Sequence, residues 1–109
     1  MSNRVVITGL GVVSPVGTGK EAFWDAMMSG KNGIDKITRF DAAEYKAQIA
    51  GEVKDFDPAD YMDKKESKRI DRYAQFAMAA AKLAVEDAKL DLEQENLERI
   101  GTFVGSGIG

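Results

Sequence analysis

RVVITGLGVVSPVG, residues 4–17, is the stretch on which the fold turns. Residues 4–8 are few, rich in β-branched side chains and closed by Gly9, the pattern of a buried strand. A glycine loop follows, and a strand running into such a loop ahead of a helix invites a nucleotide reading. A dinucleotide fingerprint needs Gly-x-Gly-x-x-Gly, so that the backbone can approach a pyrophosphate at a helix N-terminus. Here Gly9 and Gly11 are followed by Ser14 at the third glycine position, and then by Pro15. A P-loop needs glycine five residues before its Gly-Lys pair, with Ser or Thr after it. Before Gly19-Lys20 that position is Ser14, and Glu21 follows. Both motifs fail where they are defined, so a tight strand-to-helix turn is expected.

Working outward, Thr18 and Glu21 have the spacing of a capping box. Phe23, Trp24, Met27 and Met28 lie at helical spacing, and Gly30 is a C-terminal stop. Residues 31–45 read as irregular, with Asn32-Gly33 as a turn. Residues 48–53 read as a short strand. Asp57-Pro58 suits a helix opening, since Asp caps and Pro tolerates the first helical position. The strongest period begins near Asp63. Ile70, Tyr73, Ala74, Ala77, Met78, Ala81, Val85 and Ala88 recur at three and four residues, one apolar stripe over about five turns. Its alanines suit close packing. Acidic residues mark a connection near residues 90–98, and residues 99–104 (RIGTFV) read as a second buried strand.

Strand, helix, long connection, long helix, strand is an α/β alternation. Both strands are apolar on each face and expect neighbours and helical cover on both sides. The helices of 109 residues do not supply that cover. Residues 1–109 are therefore expected to be the opening part of a larger domain.

The composition, 44% hydrophobic and 30% charged, is that of an ordinary globular protein. A net charge of −3 gives no general attraction to nucleic acid or anionic membrane. There is no cysteine and no histidine, which excludes disulfides and thiolate chemistry and removes the commonest base and metal ligand. No metal site and no cofactor are expected. No apolar run approaches a membrane span and no signal-peptide core is evident, so a cytoplasmic location is expected.

Residues 64–72, KKESKRIDR, are a basic island of five cations and two carboxylates. On a continuous helix Lys65, Lys68, Arg69 and Arg72 would share one face at i, i+3, i+4 and i+7. Such a cluster is either a solvated face or a dock for an acidic protein or phosphorylated ligand. Nucleic acid is disfavoured, because no aromatic platform accompanies it. The closing GSGIG, residues 105–109, is compatible with an anion-binding amide nest or with close backbone packing.

Taken together, residues 4–17, 23–35 (FWDAMMSGKNGID), 61–77 (YMDKKESKRIDRYAQFA) and 99–109 (RIGTFVGSGIG) resemble the β-ketoacyl-acyl-carrier-protein synthases. Within that family the KKESKR segment and Ile108 fit the synthase II branch of bacterial fatty acid synthesis. The resemblance spans essentially the whole chain. It implies a thiolase-like α/β fold, a layered αβαβα arrangement when complete, and a homodimer. It also implies a decarboxylating Claisen condensation between an acyl thioester and malonyl-acyl carrier protein. The family performs this with one cysteine and two histidines, none of which is present, so no catalytic residue maps onto this chain and the segment alone is expected to be inactive. By position, Lys65, Lys68 and Arg69, supported by Lys64 and Arg72, correspond to the family's docking patch for acyl carrier protein. Ile108 corresponds to the residue lining the acyl tunnel. The competing reading is a non-catalytic carrier-docking module, or a partner subunit of the same fold that sets chain length.

Overall fold

The computed structural model describes residues 2–108. The chain divides into two compact units, Val12–Phe56 and a second made of Met1–Gly11 with Asp57–Gly109.

In the first unit, β1 (Val13–Ser14) and β2 (Gly17–Thr18) form a minimal antiparallel hairpin, with Val13 opposite Thr18. Ser14 locks its turn: the hydroxyl donates to the Gly17 carbonyl at 2.8 Å and accepts from the Val16 amide at 3.3 Å. Thr18 is thereby committed to a strand, and the expected capping box does not form. Gly19 takes the N-cap place with φ +93°, no side chain caps the helix, and α1 runs Lys20–Ser29. It stops at Gly30 as expected, in the left-handed conformation (φ +71°) that glycine adopts without steric cost.

Of α1 only Ala26 is buried, while Trp24, Met27 and Met28 are exposed. The segment expected to be irregular contains β3 (Ile34–Lys36), which pairs antiparallel with β4 (Ile49–Gly51). β4 falls within the strand expected over 48–53. β3 begins where Asn32 Oδ1 accepts the Ile34 amide at 3.0 Å, so the Asn32-Gly33 turn is real and leads into a strand.

In the second unit, residues 9–11 lie against α3 (Arg72–Ala88). A Cβ on Gly9 would lie 2.5 Å from the Ala84 carbonyl and 2.6 Å from the Ala88 nitrogen, and one on Gly11 would overlap the Ala80 carbonyl. Leu10 donates its amide to Asp87 Oδ2 at 2.9 Å. The two loop glycines therefore serve contact between main chains on the alanine side of a helix, and their chemistry is packing. Ala79 in the same helix is fully buried.

Asp57-Pro58 opens a 3-10 turn, Pro58–Asp60, with the Asp57 carboxylate accepting the Ala59 amide. The long periodic helix is interrupted: α2 (Lys64–Ser67) ends at Lys68, Asp71 is extended, and α3 starts at Arg72.

The two expected buried strands do not form. Among the described residues neither 4–8 nor 99–104 pairs with another strand. Val5 is 90% exposed and Phe103 97% exposed. Ladder hydrogen bonds need a neighbour, and without one an apolar segment stays extended and uncovered however strong its strand propensity. Residues 97–99 instead close a 3-10 turn, with Asn96 accepting the Glu98 amide.

Candidate functional site

The basic island is built around a buried serine. Ser67 is 6% exposed; its hydroxyl donates to the Lys64 carbonyl at 2.7 Å, and its own carbonyl accepts Gln75 Nε2 from α3 at 2.8 Å. This fastens the last residue of α2 to the first turn of α3. The cations on either side, Lys64, Lys65, Lys68 and Arg69, are all exposed. None of the four is held in an ion pair among the described residues.

The single helical face proposed for Lys65, Lys68, Arg69 and Arg72 is corrected here, because the helix breaks across residues 68–71. Lys64 with Lys68, and Lys65 with Arg69, would repel at i, i+4, and the two lysines sit at a helix start where the macrodipole disfavours them. Resetting the chain at Asp71 places a carboxylate at the start of α3, where that dipole favours it. Arg72 thus belongs to a different helix from its supposed companions. It is half-buried, with its guanidinium 4.9 Å from the centroid of the Phe76 ring. Lys64, Lys65, Lys68 and Arg69 are brought together by the short helix and the residues just after it. Ile108 is 94% exposed on the extended tail and is not brought near them by any element.

Sequence reasoning missed a second polar constellation, in the Val12–Phe56 unit. A cleft of about 350 Å³ is lined there by Lys31, Asn32, Asp35, Lys54 and Asp55 among others. Asp35 on β3 accepts from the Lys36 amide at 2.7 Å and pairs with Lys54 at 3.4 Å, which together hold its carboxyl below the ordinary value. Glu52 accepts from the Thr38 hydroxyl at 2.8 Å, the Thr38 amide at 3.1 Å and the Arg39 amide at 3.2 Å. The hydroxyl contributes most to holding its carboxyl low. Apart from the adjacent Lys36 amide, these partners lie 13 to 19 residues apart, a separation at which no sequence pattern pairs them. Among the described residues there is no group of three or more acidic side chains placed to hold a metal ion. No helix there is long and apolar enough to cross a membrane.

Comparison with known proteins decides the family. The family described as "Beta-ketoacyl synthase, N-terminal domain" matches residues 2–109. The chain belongs to the β-ketoacyl synthase family. It is 49% identical over 108 residues to 3-oxoacyl-[acyl-carrier-protein] synthase 2 of Staphylococcus aureus (strain COL), an alignment covering 99% of this chain and 26% of that protein. It is 47% identical over 106 residues to the enzyme of the same name from Synechocystis, with 97% and 26% covered. The chain thus spans about a quarter of the length of these relatives. Among solved structures it resembles the ishigamide ketosynthase/chain length factor, with a TM-score of 0.74 and 39% identity over 81% of this chain and 22% of the other. The α/β, thiolase-like assignment stands on this membership and similarity.

Proposed function

We propose that this chain is the carrier-docking N-terminal part of a 3-oxoacyl-[acyl-carrier-protein] synthase, the condensing enzyme of fatty acid elongation. The observation that carries the reading is the group of exposed cations Lys64, Lys65, Lys68 and Arg69, held on a buried Ser67 anchor and in no ion pair among the described residues. It occurs in a chain 49% identical to a protein bearing that name. An acidic carrier protein is the partner such a surface suits: charge there speeds encounter and sets orientation while adding little to stability. Arg72 supports the patch from the start of α3, and Ile108 contributes to the acyl-binding wall.

The condensation requires an activated thiolate, stabilisation of a thioester oxyanion and a dry acyl site. With neither cysteine nor histidine, residues 1–109 deliver the carrier and leave the bond-making groups to other residues of the assembled, homodimeric enzyme. The enzyme works in the cytoplasm, on substrates carried by a phosphopantetheine arm and without a further cofactor.

The deciding experiment incubates the protein, as its gene encodes it, with acyl-carrier and malonyl-carrier protein and follows products by mass spectrometry. Formation of the 3-oxoacyl carrier with loss of carbon dioxide is expected. Carrier binding without any product would replace this reading with that of a chain-length-setting partner subunit.

A further inference from the structure

The hairpin β3–β4 is closed beyond its strands by two carboxylates that reach across it in opposite directions. Asp35, in the middle of β3, meets Lys54, three residues past the end of β4. Glu52, the first residue after β4, reaches back to Thr38 and Arg39, which follow β3. Ile37 adds one backbone bond to the Gln48 carbonyl at 3.0 Å. Between Thr38 and Gln48 the chain makes no strand. It carries Phe40 and Tyr45, an edge-to-face pair 5.7 Å apart whose members are each more than half exposed.

We propose that Glu52 is a latch: its ionised carboxylate holds the loop at residues 38–47 shut as one strap, and acid releases the strap while α1 stays folded. The geometry makes Glu52 the controlling group. One carboxylate gathers two backbone amides and a hydroxyl, all of which favour its charged form, and nothing else among the described residues fixes Thr38. The other charged group bearing on Glu52 is the Lys54 ammonium, which acts in the same direction. The sign follows. With its carboxyl held below the ordinary value of 4.5, the latch is complete above that pH and fails as pH falls through the lowered value. Protonation turns one of the accepting oxygens into an O–H and removes the charge from the rest, and charge-assisted bonds are the stronger kind. Opening would displace an exposed aromatic pair without breaking the β3–β4 ladder.

The test is hydrogen–deuterium exchange of the protein as its gene encodes it, expressed as protection relative to the intrinsic rate at each pH. At neutral pH, E52Q and E52A should each lower protection across residues 37–39, E52A by about tenfold, with residues 20–29 unaffected. Acidifying the unsubstituted protein should reproduce that loss before residues 20–29 respond, and E52A should show no acid step. Unchanged protection in E52A at neutral pH would overturn the latch. So would an acid step that survives in E52A, or one shared simultaneously with α1.

Discussion

The Gly11 Cα faces the carbonyl of Ala80 so closely that a methyl group placed on it would overlap that oxygen. The neighbouring contact, Gly9 on Ala84 and Ala88, is of the same kind. Gly11→Ala should therefore force the loop off the helix and cost about 1–3 kcal/mol, the range for overpacking. Gly30→Ala meets no atom within 4 Å and pays only for its left-handed conformation, about 1 kcal/mol. Denaturant titration of both variants in the gene-encoded protein checks the ranking. Equal costs would mean that the close approach is not what the glycine serves.

Charge at the basic island should act on encounter and not on stability. Lys65→Glu combined with Arg69→Glu is expected to raise KM for carrier-bound substrates roughly tenfold and to spare short pantetheine thioesters. Melting temperature should hardly move, since both side chains are exposed and neither is in an ion pair among the described residues. Equal losses on the two kinds of substrate would remove the docking role.

Gln75→Ala should behave in the opposite way. It removes the donor to the Ser67 carbonyl, a half-buried hydrogen bond whose loss costs about 1 kcal/mol. It also loosens the segment that presents the cations, so stability and carrier affinity should fall together. Thermal melts paired with carrier-protein titrations read both.

Ile108 tests the acyl-binding assignment. Ile108→Phe is expected to suppress long acyl chains first and leave short ones turning over, as read from product chain lengths. An unaltered product profile would remove Ile108 from the pocket.

What could be read from the sequence followed a physical division. Features set by near neighbours were legible: the Gly30 stop, the Asp57-Pro58 opening, the Asn32-Gly33 turn and the alanine periodicity of α3. The motif around Gly9 and Gly11 is visibly unfit for phosphate, but their contact with Ala80 and Ala84 depends on residues about 70 positions away. Thr18 does not cap because its pairing with Val13 outweighs its capping preference. The stretches at 4–8 and 99–104 have strand composition, yet a strand is a property of a pair and neither has a partner here. For the candidate site, the charges are visible in KKESKRIDR, whereas the bond from the Gln75 side chain to the Ser67 carbonyl joins two helices across the break, and no sequence pattern announces it.

The Ser67 anchor has one further consequence. The atoms that fix this surface in place, a serine hydroxyl, a serine carbonyl and a glutamine amide, are distinct from the atoms that present its charge. On the docking proposal, partner preference and foldedness are thereby separable, and residues 64, 65, 68 and 69 would form a rewritable address. Exchanging them for the corresponding residues of a relative in the same family should redirect the protein to a different carrier while leaving its scaffold intact.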